Sequence, residues 1–403
     1  MKIAVVGAGT AGTLTAWELA QDGHNVVVFE RHSSCAEEAS FAHPGWCSPA
    51  WPAAVAPDAR PPTLQTAWPL TWAEARWWWR SRHTSRAGTR PSLALARYSL
   101  ARLQALAHSL HLGLEPGPGA LVLWRHAGDQ PALDSLVADL GSAGLPYKLL
   151  DTTQAHALEP ALHRATPLHQ ALHLPDELGL NARQLTLQVK AEAVRLGVVF
   201  EFNTVVRGLR PGTPPTLVWQ ADDAMASTES TFDAVVVCAG ADSAHLLAQA
   251  GLKLPLARLW GRSISVPVQE AVDAPNGTVF DVQQGATVTR LGQWVRIAAG
   301  LRLGGQADTH REAGFQQLYR TLGDWFPGTL PRQKRGASTT PALEWTGAVA
   351  QSPNNRPHLG PCGLPGVWLN LGHGLHGCAL ACGSARVVAD LVQGREPAID
   401  VGA

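Results

Sequence analysis

Charge is the scarcest ingredient of this 403-residue chain: 16% of its residues are Asp, Glu, Lys or Arg, and 32 cations balance 32 anions. A neutral chain with no basic run argues against nucleic acid as a partner and against electrostatic attachment to an anionic membrane. It has no run of about 20 uncharged apolar residues, so no spanning helix is expected. The opening apolar run, residues 3–6, is shorter than the roughly 7–15 residues of a signal-peptide core. Cysteine is also rare. Cys35, Cys47, Cys238, Cys362, Cys378 and Cys382 show no paired zinc spacing, so free thiols in a reducing cytoplasm are expected. The length allows two or three domains, or one large interrupted one.

What is present begins at once. KIAVVGAGTAGTLTAWELAQDGHNVVVFER reads as a short buried strand, a glycine turn, a helix and a second strand ending at Glu30. The turn is G-x-G-x-x-G, with Gly7, Gly9 and Gly12. The first glycine permits a tight turn, the second lets a pyrophosphate approach the backbone, and the third lets helix and strand pack closely. Ala8, Thr10 and Ala11 complete the loop, whose amides meet phosphates at the positive end of the helix. Glu30 stands where a carboxylate accepts both ribose hydroxyls, with Arg31 beside it. A carboxylate there disfavours a 2′-phosphate, leaving FAD or NAD.

Beyond Glu30, EEASFAHPGWCSPAWPAAVAPDARPP is rich in small residues and reads as an extended segment. Trp68, Trp72, Trp77, Trp78 and Trp79 then cluster, either packing a helix or facing a membrane or partner subunit. SLALARYSLARLQALAHSLHL has helical periodicity. Short alternating strands in 256–334 suggest an antiparallel sheet domain inserted into the nucleotide fold. The expected architecture is α/β: a Rossmann-like dinucleotide-binding domain from 1–50, 150–250 and 335–403, with a substrate or cap domain from 51–149 and 251–334.

Near the C-terminus a buried strand runs into Gly372-His373-Gly374-Leu375-His376-Gly377 and then a long helix. Two histidines suggest a metal, but no carboxylate or thiol completes a ligand set at known spacing, so none is expected. The glycines carry more meaning. Bare amides at the helix start, with its positive dipole end, suit the pyrimidine edge of a flavin, where two-electron reduction develops negative charge.

On these residues the chain resembles the FAD-dependent D-amino-acid dehydrogenase group of the D-amino-acid oxidase superfamily. The resemblance is tightest in VVGAGTAG, GHNVVVFER, GLPYKLL, ALEPAL, FNTVV, VVVCAGA and WLNLGHGLHGCALACGSARVVADLVQGREPAI. It implies FAD as the cofactor, with Val206 near the adenine and Cys238, Ala239 and Gly240 along the pyrophosphate. A loop containing Ala39, Ser40, His43, Pro44 and Gly45 would run under the isoalloxazine, and Gly347 would lie close by. It also implies an amino-acid or amine substrate whose C–N bond loses hydride to flavin N5, with electrons passed to a quinone or other carrier. A sarcosine-type or imino-acid oxidase stays open, as does a flavin-binding subunit or sensor without turnover.

The chain departs from that family in the substrate region. In WTGAVAQSPNNRPHLG, Val349 holds the place of the family's carboxylate-binding arginine, and Asn354 replaces an aspartate. Arg262 and Arg302 stand instead where relatives carry tyrosine and glutamate. Both are expected to point from the inserted sheet at the flavin, one of them holding an acidic substrate group, with Arg356 as a third candidate. His43 takes the place of an asparagine beside the flavin, and His376 is a candidate to face the substrate. The location expected is cytoplasmic, with peripheral contact at the inner membrane face left open.

Overall fold

The computed structural model describes residues 1–47, 64–83, 90–110, 117–307, 311–330 and 341–400. Two sheets organise them. The first has six strands in the order His358–Pro361, Val367–Leu371, Ala234–Val237, Lys2–Val6, Asn25–Phe29 and Val199–Glu201. All its pairings are parallel except that of the edge strand His358–Pro361. Its central strands are continuous apolar runs because both faces are covered. Helices Thr10–Gln21, Ala182–Arg195 and Gly377–Val392 lie on one face. A three-stranded meander, Thr204–Arg210, Thr216–Ala221 and Thr228–Thr231, covers the other, packing Leu209 and Leu217 on Val235 and Val237.

The second sheet has nine strands. Leu343–Gln351 is at one edge, followed by Ala257–Pro267, Trp294–Leu303, Ala286–Leu291, Thr278–Asp281, Ala120–Trp124, Gln170–Leu174 and Lys148–Leu150; Gln65–Thr66 pairs alongside Trp294–Leu303. Helix Arg311–Trp325 packs on one face, with Phe315, Leu318 and Leu322 against Ile264, Val266, Val295 and Ile297. The sheet is therefore mixed rather than antiparallel throughout, since Thr278–Asp281 pairs in parallel with Ala120–Trp124.

The domain limits differ from those expected. Strands Gln170–Leu174 and Leu343–Gln351 belong to the larger sheet, although 150–250 and 335–403 were assigned to the nucleotide half. Conversely, helix Arg90–Ser109, placed in the cap, packs Leu95 and Ala96 on Leu380 and Val387 of the last helix. Periodicity identifies an element and its apolar face but not which neighbour covers that face. The last helix is long and apolar enough to cross a membrane, yet 72% of that stretch is buried inside the protein. Residues 48–62 of the small-residue segment lie outside the described residues.

Candidate functional site

The chain crosses from strand Lys2–Val6 into helix Thr10–Gln21 through the three glycines, and they do different work. Gly7 has φ +102°, and a Cβ there would lie 2.7 Å from Cys238 O. A Cβ on Gly12 would land on Gly7 O. Both positions are closed by the protein's own backbone. Gly9 is different: its Cβ would meet only Ser40 Oγ, at 3.4 Å, and would otherwise fill the cavity in front of it. That cleared space is what a pyrophosphate needs. The helix has no acidic residue in its first turn and no side-chain cap at Gly9, so its positive end is left for a ligand. Ser40 Oγ accepts the Thr10 N–H at 3.1 Å, tying the 39–45 loop to this end.

Glu30 closes the second strand. Its carboxylate accepts the Ala8 N–H at 2.7 Å and the His32 N–H at 3.0 Å, fixing its position beside the turn. Arg31 pairs with Glu38 and Asp242 at 2.8 and 2.6 Å, which bridges the second strand to the segment after Ala234–Val237.

From these strand ends a cavity of about 1100 Å³ runs to the inner face of the larger sheet. Such a crevice, at the carboxyl ends of parallel strands, is the usual ligand position in this architecture. Gly7, Gly9, Thr10, Ala11, Glu30 and Arg31 line it, as do Ala39, Ser40, His43 and Pro44. So do Val206, Cys238, Ala239, Gly240 and Gly347, and Gly372, Gly374, Leu375, His376 and Gly377. Ala8, Gly12 and Gly45 are not in the lining; they shape it from behind. A Cβ on Gly45 would strike Leu291 at 2.9 Å, so this glycine seats the loop on the large sheet.

The C-terminal motif forms a tight turn. Gly372 and Gly374 have φ of +83° and +56°, a short 3₁₀ turn covers Gly374–His376, and helix Gly377–Val392 starts with neither a side-chain cap nor an acid. Its amides therefore face the cavity from the opposite side to Gly9. His373 contacts Ser384 Oγ at 3.0 Å and packs within the fold. His376 is buried at the helix start, where burial pushes its imidazole down to about 4. His43 is also buried, and loss of solvation pushes it down to about 4. Gly45 N–H donates to His43 Nδ1 at 3.1 Å, so the ring proton sits on Nε2, 3.3 Å from Leu375 O. Both ring nitrogens are thereby engaged, and the histidine links the 39–45 loop to the C-terminal turn. Burial pushes the Cys238 thiol up to about 12, so it stays protonated.

Of the two arginines expected to point at the flavin, Arg262 lines the cavity and Arg302 does not. Arg262 borders the cavity, but it alternates with Ile264 and Val266 on the face covered by helix Arg311–Trp325. Its guanidinium lies where a Cβ on Gly314 would be, 2.7 Å from Nη1. Arg302 is not in the cavity lining, and its Nη2 donates to Gln306 O at 3.0 Å. Its neighbours Leu301 and Leu303 take the inner face with Leu259 and Trp77, so strand alternation puts Arg302 on the other face, where it is buried. Arg356 is likewise absent from the lining. Val349 packs with that same apolar group.

One residue was missed. Arg296 is buried behind the 39–45 loop, donating to Phe41 O at 2.5 Å, His43 O at 3.1 Å and Ser265 Oγ at 2.9 Å. Burial lowers its pKa to about 10, which leaves it charged at neutral pH. Alternation in WVRIAA sets Arg296 on the face opposite Val295 and Ile297, which pack on helix Arg311–Trp325, and only the fold shows that this opposite face lies against the 39–45 loop.

The chain matches the family described as DAO, FAD dependent oxidoreductase, over residues 2–391. It is 30% identical over 425 residues to a D-amino acid dehydrogenase of Bradyrhizobium diazoefficiens, covering 100% of this chain and 97% of that one. A D-amino acid dehydrogenase of Xanthobacter autotrophicus is 32% identical over 423 residues, with 99% and 97% covered. Among solved structures, glycine oxidase from Geobacillus kaustophilus superposes with a TM-score of 0.77 at 23% identity, covering 99% of this chain and 96% of that one.

Proposed function

Because the chain belongs to the DAO family of FAD-dependent oxidoreductases, we propose that it oxidises the C–N bond of an amino acid or related amine, the imine being released to hydrolysis by water. The observation that carries this reading is the single cavity joining the glycine turn to the inner face of the larger sheet. Its relatives over the full length are named for D-amino acids. FAD, when bound, supplies the two-electron acceptor.

The protein's part is to hold and orient. Gly9, Thr10 and Ala11 offer the pyrophosphate a bare backbone and a helix N-terminus, faced by Cys238, Ala239 and Gly240. Glu30 takes the ribose hydroxyls, and Val206 the adenine side. The glycine turn Gly374 to Gly377, in which His376 N–H is already donated to His373 O, would lie at the edge of the isoalloxazine where negative charge develops, a preorganised stabilisation of the kind that lowers barriers most. Gly347 lies on the opposite wall. His43 and His376 stay neutral at pH 7, so they exclude water and shape the chamber without adding charge.

The acceptor of the electrons is a quinone or other carrier, and the site of action is the cytoplasm. Trp68, Trp72 and Trp79 are 69%, 85% and 59% exposed, and indole at the surface favours a membrane interface or a partner subunit. The test is anaerobic mixing of the yellow holoprotein with a panel of amino acids of both hands and N-substituted glycines. Bleaching by at least one amine is expected. A flavin that stays oxidised across the whole panel removes the C–N reading and leaves a binding protein.

A further inference from the structure

Helix Trp72–Ser81 forms one wall of the cavity beside the larger sheet. A capping box starts it: Thr71 Oγ1 accepts the Glu74 N–H, and the Glu74 carboxylate accepts the Thr71 N–H at 2.8 Å. Trp77 locks it down, donating Nε1–H to Gln351 O at 2.8 Å and burying its ring against Leu259, Leu301 and Leu303. Leu301, Val349 and Leu375 continue this surface into the cavity, so the wall is apolar and rigid.

The helix ends at Arg82, which lines the cavity mouth with its Cζ 4.4 Å from the centroid of Trp78. Among the described residues, five arginines line the cavity. Arg31 and Arg258 both pair with Asp242, Arg207 donates to Gln220 Oε1 at 3.3 Å, and Arg262 lies against Gly314. Arg82 differs from these: among the described residues its guanidinium contacts the Trp78 face and no carboxylate. Stacking occupies the plane of a guanidinium and leaves its N–H edge free, the edge that grips a carboxylate with two parallel bonds.

We propose that Arg82 binds the substrate carboxylate and that the wall of Trp77, Leu301, Val349 and Leu375 receives its side chain. The substrates are then amino acids with aromatic or branched aliphatic side chains. This rests on the C–N reading above. The arrangement puts the anion at the mouth, where it keeps some water, and the apolar group inside.

The test compares parent, Arg82→Met and Arg82→Lys holoproteins. Each is titrated anaerobically with phenylalanine and leucine of both hands, with glutamate, and with phenethylamine, which lacks the carboxylate. Binding of phenylpropionate, followed by its shift of the flavin spectrum, adds a readout that needs no turnover. Arg82→Met is expected to raise the half-saturating concentration of phenylalanine and the Kd of phenylpropionate tenfold or more. FAD content and reduction by phenethylamine should not change, and Arg82→Lys should fall between. Unchanged phenylpropionate binding and unchanged reduction in Arg82→Met overturn the anchor while leaving C–N oxidation standing. Glutamate reducing the parent as well as phenylalanine overturns the apolar-wall assignment. A parent reduced by no amine overturns the C–N reading and this proposal with it.

Discussion

The parallel sheet and the larger sheet build their halves of one cavity from different materials. The parallel half presents backbone: a bare amide at Gly9 and the glycine turn Gly374 to Gly377, with glycines placed where a side chain would meet carbonyls or fill ligand space. The larger sheet presents side chains: Trp77, Leu301 and Val349 on one wall, and Arg296 holding a loop from behind. Backbone recognition tolerates one residue type at a fixed spacing. Side-chain recognition tolerates many, and its geometry depends on which way each strand residue faces.

The contrast breaks most visibly at the glycines. Gly12→Val drives its side chain into Gly7 O, so complete loss of both FAD and cooperative unfolding is expected, read by flavin absorbance and thermal melting. Gly9→Val should lose FAD just as completely while melting close to the parent apoprotein, because its Cβ makes only an ordinary contact with Ser40 Oγ and the rest of the side chain enters the cavity. If the two variants melt alike, the division between packing glycine and ligand glycine is wrong. On the other wall, Val349→Ala should keep its full FAD content.

Acid comes next in size. His43, His373 and His376 are each held neutral with pKa values pushed from 6.5 to about 4 by burial. The unfolded chain therefore binds protons that the folded chain refuses, so stability is complete above about pH 6.5 and falls as pH drops towards 4. Linkage sets the loss at roughly 3 kcal/mol per histidine at full protonation. Melting temperature should decline steeply through that window, and His373→Gln should flatten the decline. A melting temperature that is level from pH 7 to 4.5 would contradict the neutral assignment.

Smaller effects sharpen the side-chain half. Arg296→Met leaves the Phe41 and His43 carbonyls without their charged donor, a contact worth about 1.5–3 kcal/mol. Its FAD dissociation constant should rise about tenfold, measured by fluorescence on dilution. His43 has both ring nitrogens engaged, so acid precipitation should release all the FAD and leave a white pellet. Trp72→Ser and Trp79→Ser should change stability by less than about 0.5 kcal/mol, since both indoles already face water. Any loss of binding to lipid vesicles then reports on the surface alone.

The difference between the halves also explains what could be read in advance. Gly7, Gly9, Gly12 and Glu30 were legible because spacing alone carries the chemistry. The C-terminal glycine turn was legible because a buried strand, a glycine cluster and an apolar helix follow one another in sequence. Arg302 was expected to face the cavity but is absent from its lining, because position along an aligned strand does not settle which face a residue takes. The irregularity between Trp260 and Arg262, where Gly300 and Leu301 of the partner strand oppose Gly261 alone, makes parity harder still to follow. Helix Arg90–Ser109 was identified from its period but assigned to the wrong half, since an amphipathic stripe does not name its partner.

The strand order of the parallel sheet has a consequence for how the protein is made. Lys2–Val6 pairs with Ala234–Val237, which pairs with Val367–Leu371, so adjacent strands arise from opposite ends of the chain. During synthesis the glycine turn emerges long before the wall facing it at Gly374 to Gly377, roughly 360 residues later in the chain. The larger sheet likewise waits for Leu343–Gln351 to cover its edge. Long-range pairings of this kind form late, and incomplete chains keep their apolar surfaces exposed meanwhile. The two walls of the cavity are thus joined only by long-range pairing, and a chain cut before Gly374 is expected to keep no FAD.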